Sequence, residues 1–181
     1  MGGKEKALIN LLDRPLLSYI LERVSGKVAP IALNINSNNE KFEKFGYTLI
    51  RDPIEGHLGP LSGILASLNW ANHIQKEWVM TLPCDTPFLP KNLIESMVKT
   101  KNENPGIDLV IAKSRGFNHP VIALWKADIH TKLSTALKEG IRKIDVFTAP
   151  LKKAYVDFDG SNNSEFDPFT NLNSPLDLIL A

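Results

Sequence analysis

Leu82-Pro83-Cys84-Asp85-Thr86-Pro87 sets one carboxylate between two prolines at the end of an apolar run. Pro83 breaks ladder pairing, so Asp85 stands at a strand tip. A lone carboxylate there suits a hard divalent cation that keeps most of its waters and takes its other ligands from substrate phosphates. It suits equally an aspartate that accepts backbone hydrogen bonds in a proline-rich turn. Ile50-Arg51-Asp52-Pro53 repeats the pattern and leaves the same two readings open. Met1-Gly2-Gly3-Lys4-Glu5-Lys6 brings glycines and lysines together, a composition that lets backbone N–H groups and ammonium charges approach a polyphosphate closely. Gly56, Gly59 and Gly63 surround Pro60-Leu61-Ser62, and glycines at a helix start admit a ligand to the backbone and the dipole. Helix entrance and tight packing account for those glycines equally well. The serine stands one place too late for a G-x-S-x-G nucleophile elbow.

Other chemistries are excluded by what the chain lacks. There is no G-x-x-x-x-G-K-[ST] and no G-x-G-x-x-G, which removes the usual ATPase and dinucleotide readings. His57, His73, His119 and His130 have no zinc-ligand spacing. Asn118-His119-Pro120 precedes an apolar strand, where the histidine either lines a cleft or belongs to a turn. The single cysteine, Cys84, reads as a small buried hydrophobe, forms no internal disulfide and suits a reducing cytoplasm. A net charge of +1 with scattered Lys and Arg leaves no footprint for nucleic acid or an anionic membrane. No apolar stretch approaches the length of a membrane span, and the expected location is cytoplasmic.

These residues need a scaffold, and the periodicity supplies one. Short aliphatic runs at 30–35, 48–51, 78–82, 108–112 and 121–125 read as buried strands, and 155–158 as an edge strand. Between them lie helical faces. Leu16, Leu17, Ile20, Leu21 and Val24 form one, entered through Pro15; Leu61, Ile64, Leu65 and Leu68 form another behind Pro60. Leu93, Ile94, Met97 and Val98 give a third, and Leu133, Ala136 and Leu137 a fourth. The alternation predicts a single α/β domain over residues 1–181, with a three-layer, Rossmann-like and mostly parallel sheet. Ligands of such sheets bind beyond the carboxyl ends of the strands, where Asn34, Asn36, Asp52 and Asp85 fall. Asn171-Leu172-Asn173-Ser174-Pro175 either faces two amides to one side or caps a short helix at 175–180.

The order of these pieces resembles a known family. A glycine-lysine loop, N-x-N, Asp-Pro, G-P-L-x-G, P-C-D-T-P, H-P-x-I-A-L and a late N-x-N-[ST]-P together look like the molybdenum cofactor guanylyltransferase (MobA) family. That family lies within the nucleotidyltransferases of glycosyltransferase-A type fold, and the resemblance runs over essentially the whole chain. It implies transfer of GMP from GTP to the phosphate of molybdopterin, with Mg²⁺ as the metal and pyrophosphate as the leaving group. Carried over by position, the GTP-contacting lysine falls on Lys6, an asparagine on Asn34, an aspartate on Asp52, and the magnesium-binding aspartate on Asp85. Gly59 to Gly63 resembles the segment near the guanine. His119, Asn171 and Asn173 match motif positions on the molybdopterin side. Transient contact with molybdenum cofactor biosynthesis proteins or acceptor molybdoenzymes is the implied partnership, with no nucleic acid and no membrane.

The chain departs from the family's L-A-G-G-x-S-x-R-M-G-G-x-x-K-[AG]-L signature at its first half. The resemblance implies an absent first central strand, lying between the strand ending at Ile35 and the one ending at Leu82. Its loss would leave a slot of two strand spacings, each about 4.8 Å, lined by unpaired backbone groups. With each buried orphan group costing roughly 1–3 kcal/mol, the expectation is a natural start upstream of Met1, which the intact mass of the native protein would test. Three alternatives accompany the resemblance: a cytidylyltransferase on the same pterin, a sugar-phosphate nucleotidyltransferase of this fold, and a non-catalytic nucleotide-binding remnant.

Overall fold

The computed structural model describes residues 6–37, 40–54, 59–159 and 167–172. The chain enters through a 3₁₀ turn at Lys6–Leu8 and a small antiparallel pair, β1 (Asn10–Leu11) and β2 (Arg14–Pro15). Pro15 then stands at the N-cap of α1 (Leu16–Val24), whose buried residues Leu16, Leu17, Ile20, Leu21 and Val24 are the face the periodicity marks. β3 (Ala32–Asn34), α2 (Glu40–Glu43) and β4 (Thr48–Ile50) follow, and β3 pairs with β4 in parallel.

α3 (Pro60–His73) begins with Pro60 in its first turn, where a missing N–H costs no helical bond. Its N-cap, Gly59, has φ 72°, in the left-handed region where a side chain would be strained. β5 (Trp78–Thr81), α4 (Leu93–Glu103), β6 (Leu109–Ser114), β7 (Phe117–Lys126), α5 (His130–Lys138), α6 (Ile144–Thr148) and β8 (Lys153–Asp157) complete the described elements. The four-stranded sheet runs β5-β7-β6-β8. β7 is antiparallel to both neighbours, while β8 joins β6 in parallel as the edge strand expected near residue 155, so this sheet is mixed where the apolar runs suggest a mostly parallel one.

The period of two along β6 and β7 divides the core into layers. Leu109, Ile111, Ala123 and Trp125 face α3, α5 and α6, in one cluster with Leu61, Leu65, Leu133 and Phe147. Val110, Ala112, Ile122 and Leu124 face the other way, onto Ile20 of α1 and Leu93 and Met97 of α4. Both faces of the sheet are therefore covered, which is why its strands read as continuous apolar runs rather than alternating ones. Full burial of a side chain such as Leu109 or Leu65 contributes roughly 1.5–3 kcal/mol. Inside the core Trp125 Nε1–H donates to Thr81 Oγ1 at 2.9 Å, and that hydroxyl donates to the Val121 carbonyl at 2.8 Å, whereas the buried Ser62 Oγ of α3 has no hydrogen-bond partner among the described residues.

β6 and β7 are joined by Arg115 and Gly116, with φ 49° and 79°. Two positive φ values match the right-handed strand twist in a two-residue hairpin. Strand β7 thus begins at Phe117, and His119 lies on it instead of in a turn ahead of it. Ile111 pairs with Ala123 but Ala112 pairs with His119, so Pro120, Val121 and Ile122 bulge out of the ladder. Proline, having no N–H to give, is at home there, and the bulge re-aims the residue before it.

β3 and β5 do not pair. Between them lies an apolar cavity of about 590 Å³, walled by Leu33 of β3, Val79 and Met80 of β5, Leu21 of α1 and Trp70 of α3. Among the described residues no helix is long and apolar enough to cross a membrane.

Candidate active site

The turn after β5 carries Asp85, and the 3₁₀ turn at the start of the described chain carries Lys6. Lys6 Nζ stands 3.4 Å from Asp85 Oδ2, a pairing across 79 residues of sequence. The Asp85 side chain is 14% exposed and that of Lys6 46%, so the carboxylate is sheltered while the ammonium reaches solvent. The Asp85 carbonyl accepts from Leu172 N–H at 2.9 Å, which ties the late segment to this turn. Thr86 is buried behind it. Cys84 packs beside the β3–β4 cluster. Burial pushes its thiol up from the ordinary value and the Asp85 charge adds to this, so Cys84 stays protonated at neutral pH. It is no nucleophile.

Asn34 ends β3, and Asp52 follows β4 by two residues. Asn34 Nδ2 donates to Asp52 Oδ1 at 2.9 Å and sits 3.5 Å from the Gly63 carbonyl on α3. Asn36 Oδ1 accepts from Asp52 N–H at 3.0 Å, so both asparagines of the N-x-N motif hold the aspartate. Gly63 lies where a Cβ would come 3.4 Å from Asn34 Nδ2 and 3.9 Å from Asp52 Oδ1. The absent side chain keeps the carboxamide–carboxylate pair open towards the helix.

Ala7, Asn34, Pro83 and Cys84 line the cavity between β3 and β5, and Lys6 and Asp85 are the chain neighbours of Ala7 and Cys84. Gly59 marks the start of α3 nearby in sequence, whereas Gly56 and His57 lie outside the described residues.

On β7, His119 Nε2 is 2.7 Å from Ser114 Oγ, which donates to Asp167 Oδ1 at 2.8 Å. The His119 ring packs on Phe169 with centroids 4.8 Å apart. Burial holds its pKa below the ordinary imidazole value, against an opposing pull from Asp167. Asn171 is exposed, next to the Leu172 N–H that binds the Asp85 carbonyl. Asn173 and the segment 175–180 lie outside the described residues. Ser114 and Asp167 carry no sequence motif that would single them out; only the fold brings them to His119.

Among the described residues no cluster of three or more side chains could by itself cage a metal ion. Asp85 offers one sheltered, anionic, hard oxygen donor set with a cation already beside it. Such a set fits Mg²⁺, which dehydrates reluctantly and borrows ligands from water and phosphate.

A family model described as a MobA-like NTP transferase domain matches residues 1–151. A molybdenum cofactor guanylyltransferase of Rhodopseudomonas palustris (strain BisB5) is 38% identical over 184 residues, covering 100% of this chain and 86% of the relative. One from Shewanella sediminis is 33% identical, covering 97% of this chain and 85% of its own length. Among solved structures, molybdopterin-guanine dinucleotide biosynthesis protein A from Archaeoglobus fulgidus superposes with a TM-score of 0.72 at 24% identity, covering 98% of this chain and 89% of that one. CMP:2-keto-3-deoxy-manno-octonic acid synthetase complexed with CTP also reaches 0.72, at 10% identity over 97% of this chain and 89% of that one, a likeness of fold alone. The match over residues 1–151 and the full-length relatives at 33–38% identity show the family: this chain belongs to the MobA-like NTP transferases.

Proposed function

We propose that this chain is a molybdenum cofactor guanylyltransferase. An oxygen of the terminal phosphate of molybdopterin attacks the α-phosphorus of GTP. A new phosphoanhydride bond forms, the bond between the α-phosphorus and its bridging oxygen breaks, and pyrophosphate leaves with that oxygen. No covalent enzyme intermediate is required, so the protein's work is positioning and charge neutralisation.

The observation that carries this reading is the Lys6–Asp85 pair, 3.4 Å apart and built from opposite parts of the sequence. Lys6 would place a point charge against the polyphosphate. Asp85 would hold Mg²⁺, whose charge steadies the negative charge that builds on the phosphate oxygens during transfer. Asp52, held by both Asn34 and Asn36, would accept from the guanine N–H groups, and Gly59 and Gly63 keep the start of α3 open to the base. His119, Asn171 and Asn173 are assigned to the pterin side. GTP and molybdopterin are then the small-molecule partners, with transient contact to cofactor biosynthesis proteins or acceptor molybdoenzymes for delivery. The free thiol Cys84 suits the cytoplasm as the place of work.

The test is incubation of the protein with molybdopterin, Mg²⁺ and either GTP or CTP, following pyrophosphate release and the dinucleotide product. Guanine dinucleotide formed from GTP and little product from CTP is the expected result. Preference for CTP would assign the chain to cytidylyl transfer, and absence of binding by both nucleotides would leave a non-catalytic remnant.

A further inference from the structure

Ser114, His119 and Asp167 have the residue types of a nucleophilic triad in the wrong order. Ser114 is fully buried at the end of β6 and stands between the other two, with His119 Nε2 at 2.7 Å and Asp167 Oδ1 at 2.8 Å from its Oγ. In a triad the histidine stands between serine and carboxylate and takes the serine proton. Here the serine is the middle member and has no access to a substrate. The arrangement sets something else.

A serine hydroxyl carries one proton, and an ionised carboxylate only accepts. The Ser114 proton therefore goes to Asp167. Were His119 Nε2 also a bare acceptor, it would face the Ser114 oxygen with no proton between them at 2.7 Å. The network closes only if Nε2 carries a proton and donates it to Ser114. Neutral His119 then has its lone pair on Nδ1, and among the described residues no hydrogen bond reaches that atom. Asp167 is itself fixed: its Oδ1 also accepts from Phe169 N–H at 2.9 Å, and its carbonyl accepts from Thr170 N–H at 3.1 Å. Phe169 closes the ring's face. Three residues further on, Leu172 N–H reaches the Asp85 carbonyl, so the segment that sets His119 is also anchored to the turn of the nucleotide side.

We propose that Asp167, acting through Ser114, is a positioning residue that locks His119 in the Nε2–H tautomer, so that Nδ1 accepts a hydrogen bond from an N–H or O–H of the acceptor substrate. This rests on the reading of His119 as part of the acceptor side. It deepens that reading, because it says what the imidazole recognises: a donor on the acceptor molecule, not a phosphate oxygen. An imidazole that presents a lone pair repels an anionic oxygen and attracts an N–H.

The experiment uses the full chain labelled with ¹⁵N and compares wild type, Ser114→Ala and Asp167→Asn. Ring ¹⁵N shifts of His119 report the tautomer without substrate. Wild type is expected to show Nε2–H as the single neutral tautomer. Ser114→Ala frees the ring and yields a mixture. Asp167→Asn keeps an amide oxygen to accept the Ser114 proton and retains the wild-type tautomer, the rescue that a merely structural role would not produce. In turnover, Ser114→Ala should raise the acceptor KM about tenfold, one lost hydrogen bond, while the GTP KM stays within about twofold. An Nδ1–H tautomer in wild type, an unchanged tautomer in Ser114→Ala, or an equal rise of both KM values would overturn the proposal. A wild-type protein with the locked tautomer but no guanylyl transfer would instead strike at the proposed function and, with it, at the acceptor role of Nδ1.

Discussion

Asn34 and Asp52, at the ends of the parallel strands β3 and β4, are joined by a 2.9 Å hydrogen bond from the carboxamide Nδ2 to the carboxylate Oδ1. The bond spends a carboxamide donor on one carboxylate oxygen of Asp52. Gly63 is the wall on the far side.

Replacing Gly63 by alanine should separate stability from function. The added Cβ would meet Asn34 Nδ2 at 3.4 Å, which is ordinary contact, and Gly63 lies inside α3 with no positive φ to protect. Alanine is better than glycine in a helix interior by roughly 0.5–1 kcal/mol, so thermal denaturation should move to higher temperature. The same methyl group projects at the Asn34–Asp52 pair, so GTP should bind more weakly. A variant that is more stable and binds GTP as tightly as wild type would remove this helix face from the nucleotide site.

Lys6→Ala tests the opposite split. With Lys6 46% exposed, its bond to Asp85 is worth no more than about 1 kcal/mol to folding. A charge aimed at a phosphate in the transition state is worth far more, of the order of 10²-fold or greater in kcat. Denaturant titration should therefore find the variant nearly as stable as wild type, and turnover should find it crippled. Asp85→Ala should abolish turnover altogether. If either variant kept near-normal kcat, that residue would lose its place in the mechanism.

Much of the layer architecture was legible in the sequence because strands buried on both faces and amphipathic helices leave different periods. The runs at 48–51 and 78–82 became β4 and β5, and the faces behind Pro15 and Pro60 became α1 and α3. The strand tips carrying Asn34, Asp52 and Asp85 followed from the same reading. β7 was not legible at its beginning. Its first residues, Phe117 and Asn118, are polar-flanked and exposed, and the turn that creates them rests on Arg115 adopting a positive φ, an uncommon conformation for that residue. The short helices α2 and α6 span too few residues to show a period. Asp167 lies 53 residues from Ser114, and no local pattern announces a hydrogen bond over that distance.

The cavity beside β3 has its own signature in hydrogen exchange. Ile35 N–H donates to the Ile50 carbonyl at 2.9 Å, so Leu33 and Ile35 turn their backbone groups towards β4. By the alternation of a parallel ladder, Ala32 and Asn34 turn theirs towards the cavity between β3 and β5. The amides of Ala32 and Asn34 should exchange at least about tenfold faster than those of Leu33 and Ile35, measured residue by residue under native conditions. Equal protection along the strand would mean that something in solution fills the cavity and pairs with that edge.

His119 should leave a mark on the pH dependence of stability. Burial lowers its pKa in the folded protein, with Asp167 the charged group that opposes the shift. The unfolded chain, titrating near the ordinary value of about 6.5, therefore binds a proton that the folded chain resists. Because the unfolded state binds more protons in that window, stability rises with pH there and falls as acid is added from about pH 7 towards pH 5. Above the window both states are neutral at this position and it contributes no slope. His119→Gln, whose amide can still donate to Ser114, should flatten the fall while leaving stability near pH 7.5 close to that of wild type. Denaturant midpoints measured at several pH values decide it: parallel curves for the two proteins would show that the imidazole is as comfortable charged inside the fold as outside, and the burial argument for its neutral state would fail.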